Sequence, residues 1–87
     1  MDRPLVDKTL RVLVVDDLGV MRLLVRNNLR TMGIENVMLA ANGREALEML
    51  QKWRFDFVVT DWNMPLMDGL ELLKHIRAST TYRHIPV

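Results

Sequence analysis

Acidic residues follow two of the strands that the sequence predicts. Asp16 and Asp17 come directly after the apolar run LRVLVV, and Asp61 comes directly after the run FVVT. Ligands of parallel α/β sheets bind at the carboxyl ends of the strands, so these carboxylates meet in one crevice if the first strand is central. A hard cation such as Mg²⁺ offsets their mutual repulsion, prefers oxygen ligands and keeps positions open for a phosphate oxygen. The pattern therefore predicts a Mg²⁺-assisted phosphoryl site in which one aspartate attacks phosphorus.

Each of these aspartates also has a purely structural interpretation. An Asp at the end of a strand is a frequent N-cap of the next helix, and Asp16 or Asp17 could serve the first helix in this way. For a single acidic residue, a helix cap and a phosphoryl site would be about equally well supported. A pair after one strand and a third after another strand, in a repeating strand–helix pattern, favours the phosphoryl site.

Such a site requires parallel strands, and the residue pattern predicts them. Residues 10–15 are a nearly continuous run of Leu and β-branched residues, typical of a strand that is covered on both faces. A helix over residues 20–32 follows, and Gly33 ends it in the left-handed conformation. Asn28 falls on the inner stripe of this helix, where an apolar residue is expected. The apolar members of the stripe recur at three- and four-residue spacings: Met21, Leu24, Val25, Leu29 and Met32.

The rest of the chain repeats the strand–helix pattern. Asn42-Gly43 is a common hairpin turn, but the helix formers REALEMLQKW follow it, so we interpret Asn42 as a helix N-cap. Asp68 takes the same position before a third helix. The elements after the first helix cover, in order, residues 37–40, 44–53, 57–60, 69–78 and the start of a fourth strand at 85–87. This order predicts an α/β fold, an open parallel sheet with helices on both faces.

The composition indicates one small domain without thiol chemistry. The 87 residues include 12 Lys and Arg, 11 Asp and Glu and no Cys, for a net charge of +1. A disulfide, a thiolate metal site and a cysteine nucleophile are excluded, and the charge gives no long-range attraction to nucleic acid. We interpret the repeated Arg22, Arg26 and Arg30 as a solvated helix face. With no apolar run of membrane-spanning length and no signal peptide at MDRPLVDK, we expect a cytoplasmic domain that does not insert into membranes.

The segments LRVLVVDD and DWNMPLMDGLELLKHIR resemble the receiver domain of two-component response regulators. The spacing between Asp17 and Asp61 fits this family, and the pattern D-x-x-M-P-x-M-D-G is specific to it. The resemblance covers residues 10–87 and is greatest to the single-domain chemotaxis members. It implies a flavodoxin-like parallel sheet, with residues 1–9 as an N-terminal tail and residues 10–87 as a partial receiver domain. It also implies a role in chemotaxis or motility.

The resemblance implies roles for individual residues. Asp61 would be the phospho-acceptor, and a histidine kinase phosphohistidine or a small acyl phosphate would be the donor. Asp17, Asp61 and the backbone carbonyl of Asn63 would ligate Mg²⁺, and Asp16 would help to hold the ion, partly through water. Trp62 would lie beside the acceptor and report binding by its fluorescence. A receiver of this kind assists its own phosphorylation and dephosphorylation and is not a conventional enzyme.

The chain departs from the family in its extent. Receivers have five strand–helix units, whereas this sequence matches three units and the start of a fourth strand. The family's switch hydroxyl, its phosphoryl-binding lysine and most of its target-binding face have no counterpart here. We therefore expect a homodimer or another self-association to cover the bare sheet face beside the first helix and the edge of the third strand. The alternative function is a non-switching assembly module; a flavin-binding domain is disfavoured because an acidic crevice repels the flavin phosphate.

Overall fold

Strands and helices alternate along the chain in the computed structural model, which describes residues 9–61 and 67–87. The described elements are β1 (Arg11–Val15), α1 (Gly19–Thr31), β2 (Asn36–Ala40), α2 (Gly43–Lys52), β3 (Phe57–Thr60) and α3 (Gly69–Ala78). The predicted order is confirmed, and each predicted boundary lies within about one residue of the observed one. All but the last residue of the predicted tail, residues 1–9, lies outside the described residues. No helix in the described part is long and apolar enough to span a membrane.

The sheet has β1 at its centre. All three strands are parallel and lie in the order β2-β1-β3. Val15, the last residue of β1, is level with Ala40 of β2 and with Thr60 of β3. The residues that follow β1 and β3 therefore come to the same edge of the sheet. This is the flavodoxin-like arrangement that the sequence predicts.

The predicted start of a fourth strand at residues 85–87 has no strand structure. Pro86 has no N–H with which to continue a ladder, but its carbonyl accepts a hydrogen bond from the Val58 N–H at 2.9 Å. The Arg77 side chain holds the residue before Pro86 in place by donating to the Ile85 carbonyl at 2.7 Å. This segment therefore occupies the outer edge of β3 beside Val58, so the expectation of an exposed edge is wrong for this part of the strand.

One face of the sheet is well covered. Side chains alternate along each strand, so Leu13, Val15 and Val58 point to the side where α2 and α3 pack. The helices contribute Leu50 from α2 and Leu72 from α3. The buried residues of this cluster are Leu13, Val15, Ala40, Ala46, Leu50, Phe55, Val58, Leu72 and Ile76. This core carries most of the apolar burial of the described chain.

Within the described residues, the other face is covered by α1 alone, and only in part. Val12 and Val14 are buried there with Ile34, and Val25 and Leu29 of α1 pack against them. No residue of α1 is itself buried. The predicted inner stripe is therefore too wide, because its outer members and the neighbouring Asn28 are exposed: Met21, Leu24, Met32 and Asn28. Since α1 contacts β1 and β2, the part of this face that belongs to β3 has no helix of the described chain over it.

Side-chain caps set the starts of the second and third helices, as the sequence predicts. The Asn42 side chain accepts from the Glu45 N–H at 2.9 Å, and Glu45 accepts in return from the Ala41 N–H at 3.0 Å. Asp68 accepts from the Glu71 N–H at 2.9 Å. These bonds satisfy backbone donors that the first helical turn leaves free. After α1, Gly33 has a φ of 98°, the left-handed conformation that favours glycine.

Candidate functional site

The sheet itself positions the acidic residues. The Asp16 N–H donates to the Ala40 carbonyl at 3.1 Å, which extends the β1–β2 ladder one residue beyond the strand. The Asp61 N–H donates to the Val15 carbonyl at 3.1 Å and extends the β1–β3 ladder in the same way. Both backbones are thus fixed by strand pairing rather than by loop conformation. Because the strands end level, the two side chains start from neighbouring points at the carboxyl edge of the sheet.

Asp16, Asp17 and Asp61 form one cluster. Each contributes a carboxylate oxygen, and these three oxygens lie within 4.8 Å of one another. Asp16 and Asp61 are half-buried, whereas Asp17 is exposed. The structure therefore brings together the three aspartates that the sequence predicts at a single site.

The structural interpretation of Asp16 and Asp17 as helix caps does not hold. The N-cap of α1 is Leu18, and no side chain caps it. Asp16 instead supports the turn before the helix, since its Oδ1 accepts from the Leu18 N–H at 3.0 Å. The Asp16 carbonyl accepts from the Arg22 guanidinium at 2.7 Å. The helix is therefore attached to the site through Asp16 and Arg22 rather than through a cap.

Arg22 is the residue of this region that the sequence interpretation missed. The four-residue repeat of arginines predicts a solvated face, and Arg30 is indeed exposed. Arg22 and Arg26 are both half-buried: Arg22 folds back onto the Asp16 carbonyl, and the Nε atom of Arg26 is buried. For these two residues the prediction is wrong. The position of Arg22 in the first turn of α1, five residues after Asp17, was the available signal, because a long side chain can reach the turn that precedes its own helix.

The fourth predicted ligand lies outside the described residues. Asn63 falls in the segment 62–66, together with Trp62, so the predicted carbonyl ligand and fluorescent reporter stay predictions. Directly before this segment, the Thr60 hydroxyl donates to the Asp61 carbonyl at 2.9 Å.

The donor set of the cluster fits Mg²⁺. Carboxylate oxygens are hard ligands, and Mg²⁺ is held in proteins by one or two of them together with water and phosphate oxygens. Ligands of this octahedral ion lie about 3 Å apart when adjacent and about 4.2 Å apart when opposite, so three oxygens within 4.8 Å of one another reach these distances when their side chains turn toward a common ion. The half-buried setting of Asp16 and Asp61 reduces solvent screening of the three negative charges, which strengthens the attraction to a divalent cation. A cation would also relieve their mutual repulsion.

Comparisons with known proteins agree on one family. The model of the response regulator receiver domain matches residues 12–87. Chemotaxis protein CheY-3 of Vibrio cholerae is 51% identical over 83 residues, which are 95% of this chain and 64% of that protein. The chain thus spans less than two thirds of the length of this curated relative.

Solved structures have the same fold over most of the chain. Chemotaxis response regulator CheY4 of Vibrio cholerae aligns with a TM-score of 0.82 at 44% identity, covering 88% of this chain and 63% of that one. Response regulator TrrA of Thermotoga maritima, solved in complex with Mg²⁺-BeF, aligns with a TM-score of 0.76 at 39% identity. That alignment covers 79% of this chain and 59% of TrrA.

Proposed function

The chain belongs to the response regulator receiver domain family, and we propose that it accepts a phosphoryl group on Asp61 in a Mg²⁺-dependent reaction. The observation that carries this proposal is the cluster of three carboxylate oxygens at the carboxyl edge of the sheet. The relative solved with Mg²⁺-BeF supports the choice of metal. A receiver that takes a phosphoryl group needs a carboxylate nucleophile and a cation site beside it, and the cluster contains residues for both.

Asp61 has the position of the nucleophile. One of its carboxylate oxygens forms the bond to phosphorus, while the bond between phosphorus and the donor's nitrogen or oxygen breaks and the leaving group keeps the electron pair. A carboxylate needs no general base for this attack. Its backbone, tied to Val15 in the sheet, holds the nucleophile in place before the donor arrives.

Asp16 and Asp17 have different parts in holding the metal. One oxygen of Asp16 already accepts from the Leu18 N–H, so we assign Asp16 to binding partly through water. Asp17 is not committed to the helix cap, and we assign it, with Asp61 and the Asn63 carbonyl, to direct ligation. When bound, Mg²⁺ neutralises the charge that develops on the transferred phosphoryl oxygens.

The partners are proposed on the same basis. The phosphoryl donor is a histidine kinase phosphohistidine, or a small acyl phosphate in its absence. The names of the relatives, chemotaxis proteins, favour a place in chemotaxis signalling and hence a cytoplasmic setting. A downstream target is proposed as a further partner, although most of the face that binds targets in this family has no counterpart among these residues.

Tryptophan fluorescence tests the proposal in two steps. Trp62 directly follows Asp61, and the second tryptophan, Trp53, is replaced by Phe so that only one reporter remains. We expect Mg²⁺ to change the emission, and acetyl phosphate added afterwards to change it again. Asp17→Asn should raise the Mg²⁺ concentration needed by about tenfold or more, since even supporting groups of metal sites change affinity by ~10–100-fold.

The matched control for this experiment is Asp68→Asn. It removes an acidic residue of the same type outside the cluster, and Asn keeps the helix cap that Asp68 provides. Both fluorescence responses should survive in this variant. Emission that responds neither to Mg²⁺ nor to acetyl phosphate would contradict the proposed function.

A second candidate function is a non-switching assembly module. The observation that favours it is the set of exposed apolar residues on α1 and β3, among them Leu24 and Phe57. The fluorescence experiment separates the two candidates, because an assembly module binds Mg²⁺ without a further response to acetyl phosphate. A response to acetyl phosphate that Asp61→Asn abolishes would exclude the module as the sole function.

A further inference from the structure

The backbone of Asp61 is held on both sides of its Cα atom. Its N–H donates to the Val15 carbonyl at 3.1 Å, and its own carbonyl accepts from the Thr60 hydroxyl at 2.9 Å. This N–H and this carbonyl belong to the two planar peptide groups that flank the Cα atom. The two bonds therefore restrict both backbone dihedral angles of Asp61, and with them the direction in which its side chain leaves the backbone.

The sheet supplies the bond on the N–H, whereas a side chain supplies the bond on the carbonyl. β3 ends at Thr60, so the carbonyl of Asp61 lies beyond the strand. The Thr60 hydroxyl thus extends the ordered backbone past the last strand bond. It does so at the residue whose carboxylate belongs to the acidic cluster.

Packing alone does not require a hydroxyl at position 60. Thr60 is level with Val15 of β1 and lies on the same face of the sheet as Val58. Both valines are buried, and Thr60 itself is half-buried. A valine at this position would have nearly the same shape and would suit a strand as well as threonine does. What the hydroxyl adds is the bond to the Asp61 carbonyl.

Asp16, the other aspartate directly after a strand of the site, is held in the same way. Its N–H donates to the Ala40 carbonyl at 3.1 Å, and its carbonyl accepts from the Arg22 guanidinium at 2.7 Å. The two side-chain donors come from different elements, Arg22 from α1 and Thr60 from β3. The same arrangement therefore arises twice from unrelated local sequences, each time at a member of the acidic cluster.

We propose that Thr60 is a positioning residue of the phosphoryl site. Through the Asp61 carbonyl, its hydroxyl holds the Asp61 carboxylate in the direction from which it attacks phosphorus and ligates Mg²⁺. This inference rests on the proposed function of Asp61. A carboxylate that is already restrained loses less conformational freedom when the ion and the donor bind, and it starts closer to the geometry of attack. The hydroxyl donates its proton to the backbone, so Thr60 acts through Asp61.

Thr31 provides a matched control. Its hydroxyl also donates to a backbone carbonyl, that of Asn27, at 3.0 Å. Thr31→Val and Thr60→Val therefore each remove one hydroxyl that bonds a carbonyl, and neither changes the charge of the chain. Thr31 is the last residue of α1, a helix that begins at the carboxyl edge of the sheet and runs away from it. The control thus lies at the opposite end of the domain from the acidic cluster.

Two measurements test the proposal. The first is the rate at which the intact chain gains the mass of a phosphoryl group from acetyl phosphate at saturating Mg²⁺. Thr60→Val should lower this rate by about tenfold, since a displacement of 1 Å at a reacting group can cost ~10²-fold. The second is the Mg²⁺ dissociation constant from Trp62 fluorescence in the Trp53→Phe background. It should rise by about tenfold in Thr60→Val, the lower end of the ~10–100-fold effect of groups that support metal ligands.

Rescue by serine separates positioning from packing. Thr60→Ser loses a methyl group but keeps the hydroxyl, so its rate and its Mg²⁺ affinity should stay close to those of the wild type. Thr31→Val should leave both values unchanged. Circular dichroism and urea unfolding show whether each variant is folded and how far its stability shifts.

Three results would overturn the positioning role. These are a Thr60→Val variant with the rate and Mg²⁺ affinity of Thr31→Val, a Thr60→Ser variant as impaired as Thr60→Val, and a Thr60→Val variant that loses stability alone. None of them affects the uptake of phosphate by the wild type or its loss in Asp61→Asn. A wild type that responds to neither Mg²⁺ nor acetyl phosphate would instead contradict the function of Asp61, and the role of Thr60 with it.

Discussion

Asp61 and Asp16 come together because each lies one residue beyond a strand of the same parallel sheet. Their backbones extend the two ladders of β1, and this placement follows from residue type and strand spacing. Chain-local patterns could therefore predict the cluster. They could not predict the partner of Arg22, because a repeat of arginines along a helix does not show which of them folds back onto a neighbouring turn. The half-buried position of Arg22 depends on packing in three dimensions.

Replacement of Arg22 tests the link between α1 and the site. Arg22→Met keeps the apolar stem but loses the bond to the Asp16 carbonyl, and we expect a loss of about 0.5–1.5 kcal/mol of stability. The Mg²⁺ affinity should fall too, but by less than in Asp17→Asn, because the turn at Asp16 becomes looser. Urea unfolding and the fluorescence titration measure the two effects.

Arg30→Met is the control for this prediction. Arg30 lies on the same repeat but is exposed, so its loss should change stability by no more than about 0.5 kcal/mol. Equal effects of the two substitutions would show that the bond to Asp16 contributes nothing.

The elements of the fold could be predicted well where local chemistry specifies them. Asn42 and Asp68 begin helices through bonds to N–H groups three residues ahead, and their sequence signals are strong. The inner face of α1 could not be predicted as well, because periodicity shows which residues are apolar but not how much of the helix finds a neighbour. Position 28 is the example: it lies at the spacing of the apolar stripe, yet the residue there, Asn28, is exposed.

Close packing at the start of α2 gives a prediction for this element. A Cβ on Gly43 would lie 2.7 Å from the side chain and the backbone of Met67, so the helix start and the segment that leads into α3 leave no room for a methyl group. Gly43→Ala should destabilise the domain by about 1–3 kcal/mol. Gly19→Ala, at the start of α1, has its nearest contact at 3.4 Å and should be neutral or stabilising by up to about 1 kcal/mol. Thermal unfolding of both variants checks the contrast.

The two faces of the sheet differ at the scale of the whole molecule. The face under α2 and α3 has a continuous buried core, whereas the face under α1 leaves part of β3 exposed. The sequence predicted that this face would lack cover.

Alanine substitutions of two leucines compare how much each face of the sheet contributes to stability. Leu72 of α3 is fully buried, so Leu72→Ala should cost about 2–5 kcal/mol. Leu24 of α1 is half-exposed, so Leu24→Ala should cost less than about 1.5 kcal/mol. Denaturant unfolding at low micromolar concentration compares them. Similar losses would mean that α1 packs as closely as α3 in solution.

The most direct test of the central claim is the mass of the intact chain after incubation with Mg²⁺ and acetyl phosphate. We predict that the wild type and Asp68→Asn gain the mass of one phosphoryl group, that chelation of Mg²⁺ prevents the gain, and that folded Asp61→Asn shows none. Incorporation into Asp61→Asn, or no incorporation into the wild type when Mg²⁺ is bound, would contradict the assignment of Asp61 as the phospho-acceptor.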